Sequence, residues 1–352
     1  RKKFYLMEVQ KINTNLLPAS LKSEIIIWQR EHLENLLIKI QNMIWQEEYT
    51  RLRGPNQISL SVGSSLVGPT LMACGTDQQK ERFLAPILKG EEVWCQGFSE
   101  PNAGSDLASL KTRGEVVGDH VVVNGQKTWT SFAHQSDWCI LVVRTNPEAK
   151  KHQGLTFLLL DMKTPGISIR PLIEMTGHAW FNEVFFDDVR IPVENVVGEV
   201  DRGWEIVVTT LSVERGSSSQ HARLEADLDL LIEATKRMPR GDGCVADDPR
   251  VRERVAGFAA EMMVMRMSAY RNAWRIHEEG LPGPEGSTLK VFWSELDQRL
   301  KQAALEILGP RAMVPEGDPL ALDEGYWAYE SLWSRAATIY AGTSEVQRNI
   351  IA

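Results

Sequence analysis

Apolar positions follow three successive patterns along the chain. Up to residue 94 the texture is helical: Ile27, Leu33, Leu37, Ile40 and Ile44 recur at helical spacing between charged residues, which predicts a helix over Ile25–Tyr49. A second helix is expected from Asp77 to Leu88, with Asp77 able to cap it and Gly90 following its end. From 95 to 203 the pattern changes to β-rich runs, Val121–Val123, Trp138–Val143, Leu155–Leu160 and Glu183–Phe186. Turn signals separate them at Val117-Gly118-Asp119, Asn124-Gly125 and Thr164-Pro165-Gly166. That spacing predicts a small antiparallel barrel or sandwich.

From 204 to 352 the helical texture returns in long stretches. One helix is expected from about Trp204 to Lys236, and Asp248-Pro249 supplies an N-cap and first-turn proline for another that ends near Gly280. Ser287-Thr288 opens a third, with Leu289, Phe292, Trp293, Leu296 and Leu300 on one face and Gly309-Pro310 as its stop. Such helices assemble into a four-helix bundle. The fold class is therefore mainly α with a β middle domain, divided into 1–94, 95–203 and 204–352.

Of the 352 residues 43% are hydrophobic, enough for a sizeable core, so low-complexity and disulfide-stapled scaffolds are excluded. The 47 acidic against 39 basic residues give a net charge of -8, the wrong sign for a non-specific nucleic-acid or anionic-membrane binder. No apolar run approaches the roughly 18 residues a membrane span needs. The N-terminal residues lack the apolar region of a signal peptide. Cys74, Cys95, Cys139 and Cys244 have no CxxC spacing and read as reduced thiols of a cytoplasmic protein. The seven histidines form no HxxxH or HExxH pair, so no metal site is expected.

Three stretches carry candidate chemistry. Gly97-Phe98-Ser99-Glu100-Pro101-Asn102-Ala103-Gly104-Ser105-Asp106 leaves backbone N–H groups and hydroxyls available to a flat or phosphorylated ligand. Asn124-Gly125-Gln126-Lys127-Thr128-Trp129-Thr130-Ser131 runs from a hairpin-like turn into a strand bearing an indole and two hydroxyls. In Ile339-Tyr340-Ala341-Gly342-Thr343-Ser344-Glu345-Val346-Gln347-Arg348, Ser344 and Gln347 have capping-box spacing for a loop entering a helix.

Together these stretches resemble the acyl-CoA dehydrogenase family over roughly Glu48 to Ala352. Gly75-Thr76-Asp77-Gln78-Gln79-Lys80, Phe181-Asn182-Glu183-Val184-Phe185-Phe186-Asp187-Asp188-Val189-Arg190 and Leu305-Glu306-Ile307-Leu308-Gly309 add to the match. The resemblance implies an α-helical N-domain, a middle β-domain and a C-terminal four-helix bundle. It also implies FAD held between the last two, oxidising an acyl-CoA thioester to the trans-2-enoyl-CoA by hydride transfer to flavin N5. Electrons would pass to an electron-transfer flavoprotein or similar acceptor, and the assembly would be a homotetramer or heterotetramer.

Carried over by position, the resemblance puts Phe98 and Ser99 against the flavin ring, and Gly104 and Ser105 where flavin and the CoA arm approach. Trp129 would flank the isoalloxazine, Ser131 would reach the flavin or its phosphate, and Thr343 and Glu345 would meet the phosphate and ribityl region. Glu306 stands where a neutral glutamine usually reaches a neighbouring subunit's adenine, with Gly309 in the same cofactor segment. Many members carry the catalytic glutamate immediately before Gly-Thr, where this chain has Ala341; a second family location falls on Glu214 in Leu211-Ser212-Val213-Glu214-Arg215-Gly216. Glu214 is thus the expected base and Arg215 its companion. The Ala341 backbone N–H, beside Gly342 in the substrate site, is the expected donor to the thioester carbonyl. Two family segments are missing: the Arg-x-x-Phe-Gly motif, where Arg237-Met238-Pro239-Arg240-Gly241-Asp242-Gly243 stands, and the N-domain Trp-Pro…Gly-Gly stretch. The alternatives are a non-catalytic or FAD-lending subunit of a heteromeric relative and a flavin monooxygenase or oxidase on the same fold.

Overall fold

In the computed structural model, residues 41, 43–52, 58–216, 220–279 and 283–352 are described, with only the backbone at 58–59, 213–216 and 279. Most of the helix expected over Ile25–Tyr49 lies outside these residues; 43–51 (α1) is helical. The helices α2 (Ile58–Val62) and α3 (Gly68–Cys74) flank a π-helical turn, Gly63–Val67, and α4 spans Asp77–Lys89. Thr76 rather than Asp77 caps α4: its hydroxyl accepts from Gln79 N at 3.2 Å and the Gln79 side-chain Oε1 accepts from Thr76 N at 3.1 Å, a full capping box. Gly90 ends the helix at φ 68°, a left-handed position where glycine carries no Cβ strain.

The β region is one eight-stranded sheet of β1 (Trp94–Gly97), β2 (Arg113–Val117), β3 (His120–Ser131), β4 (Trp138–Arg144), β5 (Leu155–Asp161), β6 (Ile167–Leu172), β7 (Phe181–Pro192) and β8 (Val196–Val197). Strand order is β6-β7-β3-β2-β4-β5-β8, with β1 on β4. The expectation of an antiparallel barrel is corrected on two points. The β1–β4 and β2–β4 pairs are parallel, so the sheet is mixed. No pairing between β6 and β8 closes it among the described residues.

Alternation along β4 explains its uninterrupted apolar run. Ile140 and Val142 face one buried cluster, with Phe83 and Ile87 of α4, Phe157 and Leu159 of β5, and Ile206 and Val207 of the next helix. Cys139, Leu141 and Val143 face a second, with Val121 and Val123 of β3 and Val184 and Val189 of β7. Both faces of β4 are covered, so periodicity alone could not separate in from out.

The Asn124-Gly125 turn signal is overridden, because β3 runs straight through it. Gly125 sits at φ 149°, and a Cβ there would stand 2.8 Å from the Thr112 Cα. Asn124 instead grips a bulge of β7, accepting from Asp188 N and donating to Asp188 Oδ1, both at 2.9 Å.

The C-terminal helices are α5 (Gly203–Gly216), α6 (Gln220–Arg237), α7 (Pro249–Glu279), α8 (Glu285–Leu308), α9 (Tyr326–Trp333) and α10 (Ser344–Ile351). Asp248 caps α7 as expected, accepting from Arg250 N at 2.9 Å, and α8 starts two residues before Ser287. Leu296 and Leu300 lie in the third cluster with Leu224, Leu231, Met262 and Trp327. A buried polar knot ties α6, α8 and α9: Asp227 takes both the Lys301 ammonium and the Tyr326 hydroxyl, and Arg223 pairs with Glu330.

A second buried ion pair locks β1 to β3. Lys127, wholly inaccessible, donates from Nζ to the Phe98 carbonyl and to Glu100 Oε1, each at 2.9 Å. Burial pushes its ammonium down to about 8, against the opposing pull of Glu100. Removing one member of such a pair leaves the other unmatched. Lys127→Met is therefore expected to lose roughly 3–5 kcal/mol of stability in denaturant titration. Lys127→Met/Glu100→Gln should recover much of the loss; a single variant as stable as wild type would contradict the strut.

Candidate active site

The end of the sheet presents the first group of expected site residues. Ser99 follows β1, and its carbonyl accepts from Thr128 N at 2.9 Å, which holds it beside Trp129. The Glu100 carboxylate accepts from Lys111 N at 2.6 Å and Thr112 N at 2.8 Å, closing the base of the loop that carries Gly104 and Ser105 at the surface. Lys127, whose charge lies nearby, holds Glu100 below the usual carboxylate range against its burial.

Trp129 owes its exposure to register. Between Lys127↔Val184 and Thr130↔Asn182, β3 advances three residues against two of β7, so β3 bulges. Trp129 takes φ 57° there and its indole is 60% exposed, while Thr130 returns to the interior. Ser131 pairs with Phe181 and is half-buried. The Phe98 ring is only 4% exposed and meets Phe157 edge-on at 5.8 Å, so its side chain packs in the core behind Ser99. A line of rings then leads to the helices. Trp129 meets Phe181 at 5.9 Å, Phe181 stacks on Trp333 at 5.9 Å, and Trp333 stacks on Tyr329 of α9 at 6.1 Å.

The second group is the turn before α10. Ala341 and Gly342 both have left-handed backbones, φ 53° and φ 84°. For alanine that conformation costs roughly 1–2 kcal/mol, so its surroundings must enforce it. Gln347 Nε2 donates to the Ala341 carbonyl at 2.7 Å, and Lys290 Nζ donates to the Gly342 carbonyl at 2.8 Å. No backbone hydrogen bond from the Ala341 or Gly342 N–H forms among the described residues. The expected Ser344–Gln347 capping box is not formed: Thr343 is the N-cap, accepting from Val346 N at 3.2 Å, because Gln347 is drawn to the turn. Glu345 lies exposed in the first turn, and its own backbone N–H, then the Thr343 hydroxyl, hold its carboxyl below the usual range.

Other expected residues stand apart. Residues 214 and 215 are in the last turn of α5, and their side chains lie outside the described residues. Glu306 is an exposed anion, bonded by Arg254 at 2.8 Å and Gln302 at 3.1 Å, with Gly309 capping α8 at φ 72°. No hydrogen bond or ring contact among the described residues joins Ser99, Trp129 and Ser131 directly to Ala341, Gly342 and Thr343. Sequence reading gave no role to Lys127 or Lys290. Lys127 could have been noticed as a cation at the inward parity of Val121 and Val123.

These surfaces fit a flavin cofactor on three observations. An indole is held outward on a strained bulge. The buried Thr130 hydroxyl, Ser344 hydroxyl and Gln347 side-chain oxygen have no hydrogen-bond partner among the described residues. The Gly104 position is open to close approach, with no atom within 4 Å of an added Cβ.

Comparison with known proteins adds three matches in order. Residues 35–91, 95–189 and 201–352 match the N-terminal, middle and C-terminal domains of acyl-CoA dehydrogenase. The acyl-CoA dehydrogenase IpdE1 of Mycobacterium tuberculosis is 41% identical over 328 residues, covering 92% of this chain and 82% of that protein. The ChsE4-ChsE5 complex from Mycobacterium tuberculosis superposes with a TM-score of 0.80 at 34% identity, over 89% of this chain and 80% of that one. The Tcur3481-Tcur3483 steroid ACAD does so at 0.81 and 30%, over 88% and 79%. A bulged indole, a clamped left-handed turn and three domain matches in sequence converge on one conclusion: the chain belongs to the acyl-CoA dehydrogenase family, FAD-binding oxidoreductases acting on CH–CH bonds.

Proposed function

We propose that this protein converts an acyl-CoA thioester into its trans-2-enoyl-CoA, with Glu214 as the base for the α-proton. The observation that carries the reading is the turn before α10, where Ala341 offers a methyl group in place of a carboxylate. The base must then come from another element. Position 214 lies on α5, where one turn earlier the buried Thr210 hydroxyl bonds Thr70 of α3 at 2.9 Å.

In this mechanism Glu214 takes the proton from Cα, the C–H pair becomes the new C=C bond, and negative charge builds on the thioester carbonyl oxygen. Bound FAD supplies the acceptor for the hydride that leaves Cβ. The Ala341 N–H, next to Gly342, meets the charged oxygen. Ser105 and Arg215 contact the substrate. Ser99, Trp129 and Ser131 border the cofactor ring. Thr343 and Glu345 reach its ribityl chain, where an anionic Glu345 suits hydroxyl donors better than phosphate. Electron-transfer flavoprotein is the acceptor class this chemistry calls for. A steroid-derived or branched acyl group is the favoured substrate class, supported by the steroid description of one structural relative.

Assembly as a tetramer is supported by the outward face of α7. Met263, Val264, Met267 and Trp274 share an exposed stripe there, with Met267 57% accessible in the single chain. A second reading, a subunit of a mixed tetramer with an incomplete FAD site, is favoured by Glu306. The Arg254 guanidinium already occupies this carboxylate, where an adenine would need a neutral amide.

Glu214→Gln should keep its flavin and lose dehydrogenation by about 10²–10⁴-fold, since a positioned general base contributes on that order. An acyl-CoA assay with an artificial acceptor measures it, and retention of more than about a tenth of the rate would remove Glu214 from the role. For the assembly, Met267→Glu should leave the helical circular dichroism intact and shift sedimentation toward smaller species. A wild-type chain that sediments as a monomer at micromolar concentration would end the tetramer proposal.

A further inference from the structure

Lys290 lies on a buried face of α8 with Ser287, Ser294 and Asp297 and is only 5% exposed. Its Nζ donates to the Gly342 carbonyl at 2.8 Å and lies 5.9 Å from the centre of the Tyr340 ring. Gln347, 1% exposed, holds the neighbouring Ala341 carbonyl at 2.7 Å from the opposite side of the turn in sequence. The glycine is fitted to this arrangement: a Cβ at 342 would stand 2.6 Å from Gln347 Nε2.

A trans peptide plane carries its C=O and the following N–H in opposite directions. Pinning the Ala341 carbonyl therefore aims the Gly342 N–H away from Gln347. Pinning the Gly342 carbonyl fixes the next plane, which carries the Thr343 N–H, and the two planes together fix the left-handed Gly342 between them. The clamp determines where the Gly342 and Thr343 amide hydrogens point, although neither clamping side chain faces outward.

We infer that Lys290, with Gln347, is a positioning residue that fixes Gly342 so that its amide, beside the Ala341 N–H, receives the substrate carbonyl. The inference rests on the acyl-CoA dehydrogenation proposed above and adds to it a residue on α8 that touches neither substrate nor cofactor. Without the clamp the turn relaxes, the amides drift and the carbonyl is polarised less. Displacement of a catalytic donor on the ångström scale lowers turnover by up to about a hundredfold.

The experiment reads that polarisation directly. A trans-2-enoyl-CoA labelled with carbon-13 at its carbonyl, which the enzyme cannot dehydrogenate further, is bound to the FAD-loaded protein, and its C=O stretch is recorded by infrared difference. Wild type is expected to shift the stretch to lower frequency. Lys290→Met is expected to lose roughly half of that shift or more, with ligand affinity changed less than about threefold and kcat down roughly ten- to a hundredfold. Gln347→Met carries the same expectation independently and decides the matter if the lysine variant does not fold. A full wild-type shift in either folded variant overturns the clamp while leaving the dehydrogenase reading intact. A wild-type protein that binds FAD but no acyl- or enoyl-CoA overturns both.

Discussion

The sheet end depends on an ammonium with no access to water. Lys127 bridges the Phe98 carbonyl and the Glu100 carboxylate, and Glu100 in turn gathers the N–H groups of Lys111 and Thr112. Three stretches of the chain thereby meet at one ion pair: the end of β1 with the loop after it, the approach to β2 and the middle of β3. In low dielectric a charge tolerates few geometries, because each missing partner is expensive. The exposed loop with Gly104 and Ser105 can accordingly be short of packing and still be held at its base.

The same device recurs on the helical side. Lys290, nearly as buried, ends on the Gly342 carbonyl. Each of the two candidate-site turns is thus held from behind by a lysine whose charge is invisible from the front. Between them runs the ring series from Trp129 through Phe181 to Trp333 and Tyr329, which joins β3 and β7 to α9. Flat, stiff side chains make this contact with little rotamer entropy to lose.

Much of the helical architecture was legible in the sequence. The face of Leu289, Phe292, Leu296 and Leu300 and the stop at Gly309-Pro310 follow from spacing and from two residues that cannot continue a helix. The sheet was less legible. Asn124-Gly125 reads locally as a hairpin turn, yet long-range pairing of β3 with both β2 and β7 overrules it, and Gly125 serves the close approach of Thr112 instead. Parallel pairing of β1 with β4 leaves no local trace, since its partners lie more than 40 residues apart. For the site, motif resemblance picked out the residues that face outward, Trp129 and the Ala341–Gly342 turn among them. It gave no weight to the lysines behind, because a lone Lys in a sequence looks like surface.

The bulge at Trp129 has an evolutionary corollary. Since β3 carries one more residue than β7 across this interval, Lys127 faces inward, Trp129 outward and Thr130 inward again. Removing a single residue between Lys127 and Ser131 would restore a regular ladder, with Lys127 and Thr130 still inward opposite Val184 and Asn182. Such a change keeps the flanking pairs but removes the left-handed residue that holds the indole outward. Length here is under tighter constraint than composition, because losing one residue costs the exposed indole while the core side of the strand is unaltered.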